Sequence, residues 1–99
     1  MDIVNEGTAF TIDVTFPATP TSVSYHIYDV EIGTNVLTET SVTPAAALSI
    51  SITSNDTAIT DSTKEINRRI VVVSSEYNND PLQTKVDTYK FWVRNIASV

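Results

Sequence analysis

The sequence predicts an all-β protein, an antiparallel two-sheet sandwich of six to seven strands. Three observations carry that expectation. Phe10-Thr11-Ile12-Asp13-Val14-Thr15-Phe16 and Ala47-Leu48-Ser49-Ile50-Ser51-Ile52-Thr53 alternate apolar and polar residues without a slip, the period-2 pattern of strands with one oily and one wet face. Thr, Val and Ile supply more than a third of the chain, and branching at Cβ suits a pleated surface. No stretch sustains a helical period.

The elements follow in order. A strand is expected over Thr8 to Phe16, ended by Pro17-Ala18-Thr19-Pro20 because proline cannot donate to a ladder. A second, about Ser22 to Ile32, carries Val23, Tyr25 and Ile27 on one face and Ser24, His26 and Tyr28 on the other. Gly33-Thr34-Asn35 reads as a turn, Val36-Leu37-Thr38-Glu39 as a short strand, and Pro44 as a break before a strand from Ala47 to Ser54. Asn55-Asp56-Thr57 opens a polar loop to about Thr63, with Ala58 and Ile59 tucked beneath it. A long strand from about Lys64 to Tyr77 has an apolar centre, Ile70-Val71-Val72-Val73, suited to a central strand covered on both faces or flanked at an interface. Asn78-Asn79-Asp80-Pro81 is a turn signal, and Gln83 to about Asn95 should return as the second arm of a hairpin. Register then assigns the core: Phe10, Ile12, Val14, Phe16, Val23, Tyr25, Ile27, Leu48, Ile50, Ile52, Val71, Val73, Tyr89, Phe91 and Val93, since a one-residue slip would turn each set outward.

With 99 residues the chain forms one domain, 1–99, large enough for a real core. Its net charge is −6 with six basic residues, scattered except for Arg68-Arg69. That argues against nucleic-acid binding, which needs clustered cations to displace phosphate counterions. The first residues, Met1-Asp2-Ile3-Val4-Asn5-Glu6, lack the basic region and apolar run of a secretory signal, and no segment approaches the ~20 apolar residues of a membrane span. A soluble, intracellularly made protein without a membrane partner is expected. Cysteine is absent, which removes disulfides and thiolate chemistry and agrees with a reducing compartment without excluding an extracellular life.

A catalytic reading finds little to work with, and no enzyme is expected. The single histidine, His26, lies mid-strand and reads as solvent-facing. With no second His, no Cys and two Gly, no triad, zinc site or phosphate-cradling loop assembles. Asn55, Asp56 and Asp61, and Asn78, Asn79 and Asp80, are acidic enough to suggest calcium, but neither set has the ligand spacing for six to eight oxygens; they read as turn formers. No metal or other cofactor is expected. The sequon Asn55-Asp56-Thr57 has no meaning without secretion.

The last strand is more suggestive. In Asp87-Thr88-Tyr89-Lys90-Phe91-Trp92-Val93-Arg94, alternation puts Tyr89, Phe91 and Val93 on the core face and Lys90, Trp92 and Arg94 on the other. Trp92 then either packs under a neighbouring loop or serves as a docking anchor, a role in which Trp and Arg are common. Across the hairpin from an outward Trp92 would lie residues such as Arg68, Ile70 or Val72. A partner-docking patch of Trp92, Lys90, Arg94, Ile70 and Val72 is therefore expected, apolar at its centre and rimmed by cations.

Five phrases, taken in order along nearly the whole chain, resemble a family of small virion structural proteins of tailed bacteriophages with an immunoglobulin-like fold. They are Val4-Asn5-Glu6-Gly7-Thr8, Tyr25-His26-Ile27-Tyr28-Asp29, Ile52-Thr53-Ser54-Asn55-Asp56-Thr57-Ala58-Ile59-Thr60-Asp61, Arg69-Ile70-Val71-Val72-Val73 and Tyr89-Lys90-Phe91-Trp92-Val93-Arg94-Asn95-Ile96. The resemblance implies an antiparallel immunoglobulin-like β-sandwich and a non-enzymatic virion structural protein. It would be made in the host bacterial cytoplasm and bound in many copies as a capsid decoration (cement) or auxiliary head–tail protein. Its partner would be a phage capsid, head–tail or tail protein, or itself as a homo-oligomer. Modules of this kind also occur in tails and baseplates, so the alternative is an adhesion or carbohydrate-binding module using Tyr28 or Trp92 as a stacking platform. One departure stands out: the chain has no Cys–Trp–Cys framework and no tyrosine in the corner Asp61-Ser62-Thr63-Lys64-Glu65-Ile66.

Overall fold

The computed structural model describes residues 2–77 and 83–96. Among them the chain is nearly all β, without helix, in seven strands: β1 Asp2–Asn5, β2 Phe10–Thr15, β3 Ser22–Asp29, β4 Thr34–Val42, β5 Ala47–Ile52, β6 Ile66–Tyr77 and β7 Gln83–Arg94. Two sheets form, one ordered β1-β7-β6-β3-β4 and one of β2 with β5. The β6–β7 hairpin is antiparallel and unbroken in register, from Ile66 opposite Arg94 to Tyr77 opposite Gln83. The turn signal at Asn78–Pro81 lies outside the described residues.

The core sits between the sheets and follows the alternation. Of the fifteen positions read from the sequence, Phe10, Ile12, Leu48 and Tyr89 are half-buried against the core and the others are buried. Phe10 of the small sheet meets Phe91 of the large one edge to face, with ring centroids 5.2 Å apart at 83°, a favoured aromatic geometry. Half-buried Val4, Val36, Leu37 and Val42 pack against the same cluster from the edge strands.

Several boundaries differ from expectation, each for a local reason. The N-terminal residues form an additional strand, β1, parallel to β7 with Ile3 opposite Trp92. β2 starts at Phe10 rather than Thr8 because the chain turns at Gly7, whose φ of 76° favours glycine. β3 stops at Asp29 rather than Ile32, since the Asp29 carboxylate accepts the Glu31 and Ile32 amides and folds the chain into a turn. That turn ends at Gly33 (φ 73°). Thr34 and Asn35 therefore belong to β4, which runs nine residues instead of four and shifts register against β3 between Tyr25 and Tyr28. β5 ends at Ile52 because the Asp56 side chain takes the Thr53 amide, at 2.9 Å. β6 begins at Ile66 rather than Lys64. Of the pair expected beneath the polar loop, Ile59 is half-buried while Ala58 is exposed. β6 is central, between β7 and β3, but its apolar run is covered on one side only. Val71 and Val73 are fully buried, whereas Ile70 and Val72 are half-buried on the face turned away from the small sheet.

Candidate docking face

The hairpin register lays out the outer face of the large sheet row by row. Trp92 stands opposite Arg68, Lys90 opposite Ile70, Thr88 opposite Val72, Val86 opposite Ser74 and Thr84 opposite Glu76. On the far side of β6 the rows continue with Tyr28 beside Ile70 and His26 beside Val72. Even-numbered side chains of both arms share this face because the odd-numbered ones, Asn67 to Tyr77 in β6 and Tyr89 to Val93 in β7, turn to the core. The structure thus brings Trp92, Lys90, Arg94, Ile70 and Val72 onto one surface. Trp92, Ile70 and Val72 are half-buried, and Lys90 and Arg94 are exposed. Trp92 lies between Ile3, itself 50% exposed, and Arg68. Val30, Ile70, Lys90, Arg68 and Trp92 line a groove of about 310 Å³ at that end of the sheet.

Charge is distributed unevenly over this face. Glu31 is clasped by Arg68 Nε at 2.7 Å and Lys64 Nζ at 2.9 Å. Hydrogen bonds from Arg68 and then Lys64 hold its carboxyl down to about 2, well below the usual carboxylate range. Lys90 and Arg94, two residues either side of Trp92, make no ion pair among the described residues. At the opposite end of β6, Glu76 is exposed.

His26 is half-buried on the same face rather than openly solvated, with Nδ1 2.8 Å from Glu39 Oε2. The Ser24 hydroxyl donates to the other oxygen of Glu39, and these bonds, Ser24 foremost, lower the Glu39 carboxyl. Ser24 and His26 thus share a carboxylate; the serine proton goes to Glu39 and not to the imidazole. That is not the nucleophile–base–acid order of acyl transfer.

A second polar cluster, which the sequence reading missed, pins the segment 53–65 across one end of the core. Asp29, Asn67, Arg69, Thr57 and Asn95 are buried. Asp29 accepts from the Thr60 hydroxyl and lies 3.6 Å from Arg69 Nη2, which donates to Ala58 O at 2.6 Å. Asn67 Oδ1 takes the Thr60 and Asp61 amides, and Asn95 Nδ2 donates to the carbonyls of Ser62 and Lys64. Burial lowers the Arg69 pKa against the opposing pull of Asp29 and Glu31. Two guanidinium nitrogens, Nε and Nη1, are buried without a hydrogen-bond partner among the described residues. The parity of Arg69-Ile70-Val71-Val72-Val73 carried the signal: Arg69 shares a face with Val71 and Val73.

The acidic residues considered for calcium are engaged in this scaffold. Asp56 caps the Thr53 amide and hydroxyl, and Asp61 accepts from the Thr63 amide. Among the described residues no group of three or more His, Cys, Asp or Glu is placed to hold a metal ion; Asn78, Asn79 and Asp80 lie outside the described residues. No known protein family matches this chain, and no curated protein matches it.

Proposed function

We propose that this is a non-enzymatic virion structural protein of a tailed bacteriophage. It binds the particle in many copies, as a capsid decoration or auxiliary head–tail protein, through the outer face of the five-stranded sheet. The observation that carries the docking reading is the groove beside Trp92, a half-buried aromatic flanked by Lys90 and Arg94 on a chain of net charge −6. An aromatic anchor in an apolar pocket with a charged rim is the usual make-up of an interface hot spot. The ordered sequence phrases support the virion setting. The strand order supports an immunoglobulin-like sandwich: β3, β6 and β7 correspond to strands C, F and G, β4 to an added C′, and β2 with β5 to the B–E pair of the facing sheet. Multiplicity gives such a protein its effect, since modest contacts repeated over many sites add to the particle's stability.

Co-sedimentation with the parent particle tests this reading. Trp92→Ala should fold normally and bind at least about 30-fold more weakly, the loss expected of a ~2 kcal/mol anchor. Undiminished binding would place the docking surface elsewhere. A second reading, a tail or baseplate carbohydrate-binding module, draws on Tyr28 and Trp92 opening on the same face; glycan-array binding that is lost in Trp92→Ala would favour it.

A further inference from the structure

We propose that the same outer face also pairs with a second copy of this chain. Two copies stack face to face with their strands antiparallel, about a two-fold axis crossing the sheet at the Val72–Thr88 pair. The inference rests on the reading of this face as a docking surface and names its occupant in free solution.

Three observations choose the occupant and the orientation. The first is area. Five strands about 4.8 Å apart, with the hairpin arms running ~40 Å, give an uncovered face of roughly 700 Å². A stable interface takes about 800 Å² from each partner, so the face is of the right order to sustain a dimer.

The second is charge. Lys90 and Arg94 lie at one end of the face and the exposed Glu76 at the other. An axis parallel to the strands would keep the cationic ends of the two copies together, a costly juxtaposition. An axis across the strands reverses the second copy end for end. Placed at Val72–Thr88, it sets the Glu76–Thr84 row of one copy over the Arg68–Trp92 row of the other, with Glu76 over Arg68 and one strand away from Lys90 and Arg94. The net charge of −6 per copy opposes approach, but physiological salt screens that repulsion beyond about 8 Å, leaving the facing groups to decide.

The third is shape. Val86 is 58% exposed, an apolar side chain that projects into solvent. The same axis places it over the Ile70–Lys90 row of the second copy, beside the groove that Ile70, Lys90 and Trp92 line. Each copy therefore offers one projecting valine and one apolar groove, and a two-fold uses both twice, as an isologous interface requires. In such a dimer the docking surface is covered, and the particle must outcompete the second copy to expose it.

Sedimentation equilibrium on the full chain, from micromolar to millimolar concentration, tests the pairing. The wild type should approach twice its 10.8 kDa mass. Trp92→Ala and Val86→Lys, which sets a cation over Lys90 of the second copy, should each raise the dimer dissociation constant at least about 30-fold; Val86→Lys carries the test if Trp92→Ala fails to fold. Arg68→Glu and Glu76→Arg should each weaken the dimer, and the two combined should regain most of the loss. A wild type that stays monomeric at millimolar concentration, or a dimer indifferent to Val86→Lys, overturns the proposal. A monomeric wild type whose Trp92→Ala variant still loses the particle overturns the pairing and leaves the docking reading standing. A dimer broken by Val86→Lys, with particle binding untouched by Trp92→Ala, does the reverse.

Discussion

Arg68 and Arg69 are adjacent in β6, yet Arg68 lies on the exposed outer face with Nε 2.7 Å from Glu31, whereas Arg69 is fully buried with Nη2 3.6 Å from Asp29. One residue of register separates a surface ion pair from a buried one. Water screens the first and makes it weak; the second cannot lose a partner without stranding a charge in the interior. The outer face can therefore be altered with little effect on folding, while the Asp29–Arg69 end of the core holds the segment 53–65 in place. A docking role is easiest to accommodate where stability is not stored.

The largest effects should fall on the buried side. Asp29→Asn preserves most of the turn-capping geometry but leaves the Arg69 guanidinium unpaired, and should cost about 3–5 kcal/mol in urea unfolding. A loss below about 1 kcal/mol would show that Arg69 finds compensation elsewhere, and would weaken the contrast. Phe91→Ala, at a position 1% exposed, should cost about 3–5 kcal/mol by the same measurement. Trp92→Ala, next door on the opposite face, should cost about 1 kcal/mol or less. If Trp92→Ala unfolds the protein as Phe91→Ala does, the outer face belongs to the core and the distinction collapses.

A smaller effect should appear in acid. Glu31 titrates at about 2 in the folded protein against an ordinary 4.5. A lowered folded pKa gives stability that is complete above 4.5 and lost as pH falls through 2. Arg68 and Lys64 have side chains 54% and 52% exposed, so the contribution should be about 1 kcal/mol or less. Unfolding curves of wild type and Glu31→Gln should differ at neutral pH and converge at the acid end of that window; a constant gap would assign the stabilisation to something other than charge. The smallest expected effect is none: melts with and without EDTA should coincide, and a large drop on chelation would reveal a metal site.

The hairpin was legible because strict alternation over Thr88–Arg94 and Ile70–Val73 leaves one register that buries Phe91, Val71 and Val73. The same parity applied to Arg69 places it among the valines, a conclusion the chemistry of arginine discourages until Asp29 is seen beside it. Asp29 itself was not legible. Its burial depends on Thr60 arriving from thirty-one positions along the chain, and no local pattern records that crossing. β1 was hidden for a related reason: four residues, Asp2–Asn5, are too few for a period, and their partner lies at the far end of the sequence. The patch of Trp92, Lys90 and Arg94 was visible as an alternation, whereas the groove beside it depends on Val30, contributed by a turn whose position the sequence misplaced.

The pairing of β1 with β7 has a mechanical consequence. The strands are parallel, with Asp2 beside Phe91 and Asn5 beside Arg94. A tension that enters through the start of β1 and leaves through the end of β7 pulls the two strands past each other along their length. The load falls together on the evenly spaced ladder bonds of a parallel pair, in shear, instead of opening them one by one as a peeling force would. A protein so tied should yield late under stretch applied along its chain.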